Sequence, residues 1–282
     1  MPVYSHSRIS SFENCPLQYR YRYVDLIKSD VEGVEAFVGK VVHEVLEALY
    51  GDLERARAAG SGAFTARFNE TWRERLSPTV RIVREKMTLE DYRSLGERCV
   101  ELFYTKNHPF DGATEVRCEE HVEFDLDAEG RYRMQGFIDR IDRIGSDIIE
   151  IHDYKTGSLP RAGALKTDRQ LTLYEIALRD RYPGVREFRH VWHYLAHDRK
   201  FVETRTPDEL RRTRLNTINT IRRIEDTAEF PARQSPLCAW CEYQSICPEW
   251  EGRLTRPEPP PTRPVADPRT GQYNLFTESA GR

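Results

Sequence analysis

The chain has 282 residues, 39% hydrophobic and 32% charged, with a formal net charge of -3 and a mean hydropathy of -0.69. Against about 150 residues per domain, this suits one elaborated domain or two small ones with a real core, and no run of ~18 apolar residues is present to cross a membrane. The slight acidity argues against a general polyanion binder but leaves room for a nuclease, which needs clustered carboxylates beside local basic patches. The N-terminal Met-Pro-Val-Tyr-Ser-His-Ser lacks an apolar signal core, so a cytoplasmic, nucleoid-associated setting is expected. Six cysteines are too sparse for a disulfide scaffold, and in a reducing compartment they bind metal, do chemistry or fill core space.

Residues 1–24 read as a short helix followed by the aromatic and basic run Tyr19-Arg20-Tyr21-Arg22-Tyr23. Residues 35–107 form a helical block: Phe37, Val38, Val41, Val42, Val45, Leu46 and Leu49 recur at helical spacing, and Gly60-Ser-Gly interrupts it. From 114 the period becomes alternation, giving three strands over 116–124, 132–141 and 148–155. A helix follows at about 164–181. Strands then fit 187–196 and 200–205, and an Arg-rich helix fits 207–227. Residues 257–268 hold six prolines and read as an extended linker. No internal repeat and no phosphate-binding Gly-x-x-x-x-Gly-Lys-Ser/Thr loop is present, so no use of ATP is expected.

Asp153 and Lys155, two apart on a predicted strand, leave the same face as Ile149 and Ile151 and emerge where that stripe meets Thr156-Gly157. A carboxylate that can hold Mg²⁺ beside an ammonium suits attack of water on a phosphodiester. The preceding strand supplies Asp139 and Asp142, an odd number apart, so on a regular strand only one can face the site. A surface ion pair at a strand end is the plainer alternative for Asp-x-Lys alone.

These elements, in order, resemble the PD-(D/E)XK nucleases of the RecB-like exonuclease superfamily. The resemblance runs over most of residues 1–250: Ser7-Arg-Ile-Ser-Ser-Phe-Glu-Asn-Cys-Pro-Leu-Gln-Tyr19, Gly39-Lys-Val-Val-His43, Gly136-Phe-Ile-Asp139, Asp153-Tyr-Lys155 and Gln170-Leu-Thr-Leu-Tyr174. It implies an α/β fold whose mixed central sheet is flanked by helices, with His43, Asp139 and Asp153 as ligands of Mg²⁺ or Mn²⁺ and Lys155 as the catalytic lysine. It also implies that Gln170 and Tyr174 support DNA at the active site. Gly39 would let another backbone approach closely near His43. His152 alternates away from Asp153 and is left out of the site, and Glu47 reads as an ordinary solvated glutamate.

Cys238-Ala-Trp-Cys241-Glu-Tyr-Gln-Ser-Ile-Cys247-Pro brings three thiols within ten positions, and Cys15-Pro16 offers a fourth. Spacing does not separate Zn²⁺ from an iron–sulfur cluster. Resemblance to AddB-type repair subunits and CRISPR-associated RecB-like exonucleases implies a [4Fe–4S] cluster on Cys15, Cys238, Cys241 and Cys247, stapling an N/C-terminal iron–sulfur subdomain. Cys99 and Cys118 read as packing residues.

The expected organisation is an N-terminal segment (1–34), a nuclease domain (35–235), a cysteine segment (236–252), a Pro-rich linker (253–271), a peptide (272–276) and a tail (277–282). The expected activity is metal-dependent hydrolysis of single-stranded or frayed DNA ends, exonucleolytic, in bacterial repair or replication. The alternatives are a nuclease that trims CRISPR spacer precursors and a non-catalytic DNA-binding subunit of a helicase–nuclease complex. Arginines of the late helical region (Arg205, Arg211, Arg212, Arg214, Arg222, Arg223), with Arg20 and Arg22, are candidate phosphate contacts, or else a solvated face paired with nearby acids. Finally, Gln272-Tyr-Asn-Leu-Phe276 resembles the bacterial sliding-clamp-binding pentapeptide, which implies that Gln272, Leu275 and Phe276 dock on a clamp.

Overall fold

In the computed structural model, which describes residues 2–29 and 31–250 and the backbone of 265–266 and 273–274, the chain begins with α1 (His6–Asn14) and α2 (Pro16–Tyr19). A short parallel pair, β1 (Glu32–Gly33) with β2 (Val80–Arg81), brackets α3 (Val34–Gly51), α4 (Leu53–Ala59) and α5 (Ser61–Arg75). After α6 (Leu89–Asn107) come β3 (Glu115–Asp125), β4 (Arg133–Ile144) and β5 (Ile148–Lys155), then α7 (Arg169–Arg179), β6 (Glu187–Tyr194), β7 (Arg199–Glu203) and α8 (Pro207–Glu225). β8 (Val265–Ala266) pairs antiparallel with β9 (Tyr273–Asn274). The expected linker, apart from Val265–Ala266, and the clamp residues Gln272, Leu275 and Phe276 lie outside the described residues.

The central sheet has the order β3-β4-β5-β6-β7. It is antiparallel except between β5 and β6, which the α7 crossover makes parallel. Helices cover both faces. On one side the apolar stripe of α3, wholly buried from Phe37 to Leu49, packs with α5 and α6 around Phe68, Trp72, Val100 and Phe103. On the other, Leu171, Tyr174 and Leu178 of α7 meet Ile138, Ile141, Ile149 and Ile151. A third cluster joins α1 to α8 and the far end of β4 through Tyr4, Ile9, Phe12, Met134 and Ile221.

Local chemistry sets the boundaries. The Gly60 break is real: Gly60 takes φ +73° at the head of α5. Capping boxes start α6 (Thr88, Asp91) and α8 (Thr206, Glu209, with Pro207 behind). The helix expected from 164 starts later, because Asp168 turns extended and its carboxylate caps Leu171 N–H; residues 164–167 form a separate 3₁₀ turn.

Candidate active site and cysteine site

The sheet opens where the site forms. The β4–β5 ladder ends at Arg140 opposite His152, so Tyr154 has no partner on β4 and its N–H donates instead to Asp139 Oδ2 at 2.9 Å. The β3–β4 ladder skips one rung at the same level, Glu119 opposite Asp139, and Glu119 takes a left-handed φ of +48°. Alternation breaks there: Ile138 and Ile141, three apart, both enter the α7-side core. The parity argument that separated Asp139 from Asp142 assumed a regular strand, and the strand is not regular. Depth separates them instead. Asp139 faces the opening, whereas Asp142 is buried against Arg140, with 2.9 Å between its Oδ1 and the guanidinium Nε.

His43 of α3 completes the group. Its Nε2 lies 2.9 Å from Tyr154 O and its Nδ1 3.6 Å from Asp139 Oδ2. A ring protonated at Nε2 donates to that carbonyl and turns the Nδ1 lone pair toward the carboxylate. Donor atoms of His43, Glu119 and Asp139 all lie within 4.8 Å of one another. They edge a cavity of about 610 Å³, lined also by Lys40, Glu47 and Arg75. Burial, with the charges of Asp139 and Glu47, raises the Glu119 carboxyl above its usual range. One imidazole and two crowded carboxylates fit a divalent cation such as Mg²⁺ or Mn²⁺, whose charge would relieve that crowding. Glu119 was missed by sequence reasoning. Its aim depends on a left-handed glutamate, which a strand pattern does not foretell.

Asp153 and Lys155 do share a face. Lys155 Nζ sits 2.8 Å from both carboxylate oxygens of Asp153 and 3.5 Å from Gln170 Oε1. Burial, moderated by Lys155 and reinforced by Asp139, pushes Asp153 up to about 6. Burial opposes the Lys155 charge, but Asp153, then Asp139 and Asp168, hold its ammonium above the ordinary value. Tyr174 packs its ring on Gly136, where an added Cβ would come within 2.6 Å of Cε1, so this glycine is needed for the close approach. Gly39 meets only the Thr156 hydroxyl, 3.6 Å from an added Cβ, and no backbone crowds it, contrary to the sequence reading. His152 faces away from Asp153, as alternation required, and joins Asp142 and Glu150.

Cys15, Cys238, Cys241 and Cys247 line one cavity of about 210 Å³ with Leu237, Trp240 and Trp250. Backbone N–H groups of Arg233 and Ser235 point to Cys15 Sγ and Cys238 Sγ, each at 3.4 Å. Burial pushes the Cys241 thiol up to about 11, with Cys15 and Cys238 adding to it. Cys99 is fully buried, and Cys118 is half-buried. Most candidate phosphate contacts are engaged within the protein: Arg20 with Asp25, Arg22 with Glu242, Arg211 with Asp208, Arg222 with Tyr132, and Arg205 buried against Thr172. Among the described residues no helix is long and apolar enough to cross a membrane.

The sequence profile described as PD-(D/E)XK nuclease superfamily matches residues 3–248. A crystal structure of a candidate exonuclease from Eubacterium rectale aligns over 86% of this chain and 87% of its own, with 12% identity and a TM-score of 0.49. The SSO0001 structure aligns over 86% and 93%, with 14% identity and a TM-score of 0.35. The curated proteins contain no match.

Proposed function

The chain belongs to the PD-(D/E)XK nuclease superfamily, and we propose that within it this protein is a metal-dependent deoxyribonuclease that degrades single-stranded or frayed DNA ends exonucleolytically. The observation that carries the reading is the pairing of a cation-ready group, His43, Glu119 and Asp139, with the Asp153–Lys155 pair across the sheet opening. His43, Asp139 and Asp153 would hold Mg²⁺ or Mn²⁺, with Glu119 beside them. A bound divalent ion supplies Lewis-acid stabilisation of phosphate charge and a more acidic water. The chain's own groups do the rest. Lys155, kept charged by Asp153, places an ammonium where the reacting oxygens gather, and Gln170 limits its swing. Tyr154 N–H fixes Asp139, and Tyr154 O fixes the His43 ring. Cleavage of end-labelled single-stranded DNA with Mn²⁺ is the test. Asp153→Ala and Lys155→Ala proteins should each lose about a hundred- to a thousandfold in rate while remaining folded; full activity in both would overturn the assignment.

For the cysteine site, the reading is a [4Fe–4S] cluster on Cys15, Cys238, Cys241 and Cys247. A four-thiolate site with aromatic walls and N–H groups aimed at sulfur suits it. Brown anaerobic protein with about four irons per chain supports the cluster; colourless protein carrying one zinc would refute it. The Gln272–Phe276 peptide is proposed to tether the enzyme to a sliding clamp. Calorimetric titration with the clamp, comparing the intact chain with Leu275→Ala/Phe276→Ala protein, decides that point.

A further inference from the structure

The β3–β4 ribbon reaches beyond the sheet opening, and its two faces differ. One face is buried: Val122 and Ile138 lie in the α7-side core, and Leu126, Tyr132 and Met134 pack with Tyr4 and Ile221. The opposite face carries His121, Glu123, Gln135 and Phe137, all exposed. On this face Glu123 and Arg133 approach within 3.3 Å, and Arg133 also bonds Asp125 at 3.2 Å, so the one guanidinium is shared between two carboxylates. His121 and Phe137 sit directly opposite one another, with ring centroids 4.9 Å apart. Phe137 nevertheless remains 58% exposed and belongs to none of the three core clusters. It is a large apolar ring held in place by a neighbour and, among the described residues, left more than half open.

Its address gives it meaning. The skipped Glu119–Asp139 rung lies two residues on from the His121–Phe137 pair, about 7 Å along the ribbon at the rise of a strand. A phosphate seated at the His43–Glu119–Asp139 group would therefore carry its adjoining nucleoside over Phe137. Every base has a π-face, and an exposed aromatic ring beside a backbone site is how proteins hold unpaired strands without reading sequence. A paired base inside a duplex has both faces already stacked and cannot use such a ring.

We propose that Phe137, backed by His121, is the stacking platform for the nucleobase next to the scissile phosphate, and that it makes the site selective for unpaired DNA. The proposal rests on the nuclease reading of the same site and adds the side chain that selects an unpaired strand.

Binding and cleavage are measured separately, so that the two ideas can fail separately. Fluorescence anisotropy with a labelled single-stranded oligonucleotide in Ca²⁺ gives Kd for wild type, Phe137→Ala and Phe137→Trp, with intact DNA and with single abasic positions scanned along it. The expected result is about a tenfold weaker Kd for Phe137→Ala, the scale of one lost base–aromatic stack, with recovery in Phe137→Trp. At one position, removing the base should cost wild type the same factor and cost Phe137→Ala nothing further. Equal Kd for wild type and Phe137→Ala, or an abasic penalty undiminished in the variant, would overturn the platform. Wild type that binds through Phe137 but leaves the strand uncut in Mn²⁺ would keep the platform and sink the nuclease assignment.

Discussion

Two groups of three metal-ligating side chains come together among the described residues, on either side of one kink in β4: His43 with Glu119 and Asp139, and His152 with Asp142 and Glu150. Their donor types are alike, one imidazole and two carboxylates. Their surroundings are opposite. The first opens on a cavity, and its carboxylates push on one another. The second already contains its cation. Arg140, 3% exposed, lies between Asp142 (2.9 Å), His152 Nδ1 (2.8 Å) and the Tyr154 hydroxyl (2.7 Å), with its guanidinium over the Tyr50 ring at 4.1 Å. Arg189 and Lys200 approach Glu150 from outside. A donor set alone therefore does not make a metal site; the sign of the charge left over decides it.

The sharpest way to break this comparison is to remove the built-in cation. Arg140→Met leaves Asp142 buried without its partner, and loss of one member of a buried pair costs about 3–5 kcal/mol. Urea denaturation should show that loss. The Arg140→Met/Asp142→Leu double variant should recover much of it, because the stranded charge goes too. In the open group the matching change should do the reverse: Asp139→Asn keeps an acceptor for Tyr154 N–H, relieves repulsion and leaves stability unchanged or higher. If Arg140→Met were harmless, the second group would not be the closed ion network described.

The next test asks which group takes a cation. Glu119→Gln should weaken Mn²⁺ binding about tenfold by calorimetry, in the range of one altered ligand or its partner. Glu150→Gln should leave the titration unchanged. Mn²⁺ lost with Glu150 and kept with Glu119 would invert the comparison.

The sequence disclosed these two groups unequally. His43, Asp139, Asp153, Lys155, Gln170 and Tyr174 lie in short motifs and were picked out by the resemblance those motifs carry; strand and helix period adds only that Asp153 and Lys155, and Gln170 and Tyr174, share a face. The helices were legible by period, from the α3 stripe to the Gly60 break. Glu119 was not, because it depends on a kink shared by two strands. The Arg140 network was not legible either: it joins residues of β4, β5 and β6 that meet only after the parallel crossover forms. Asp142 shows the limit of period reasoning. Of the two, Asp139 faces the cavity and Asp142 does not, but the regular strand from which that was argued is not there.

The smallest expected effect comes from acid, and its sign separates the groups again. Burial, then the positive charges of Arg140 and Lys200, hold the His152 imidazole well below its usual pKa of 6.5. Burial, then His152 and Arg140, do the same to His193, whose Nε2 lies 2.9 Å from His152 Nδ1. Below pH 6.5 the unfolded chain takes up protons at these positions and the folded chain does not, so stability falls as pH falls. Between pH 7 and 6 each imidazole contributes a loss of about 0.7 kcal/mol. His6 and His190, also held low, add to the same trend. The raised carboxyls of Asp153, Glu119 and Asp142 act oppositely, since the folded chain binds their protons more readily. Asp153, pushed up to about 6, reaches into the neutral window and offsets part of one imidazole's share, whereas the four histidines together outweigh it. Urea unfolding across pH 5.5–7.5 should therefore show stability rising with pH. The slope should be shallower in a His193→Asn protein, by the share of one imidazole. An unchanged slope in that variant would mean that His193 takes up its proton in the fold as readily as in the unfolded chain, and that the network around Arg140 tolerates more positive charge than a closed set allows.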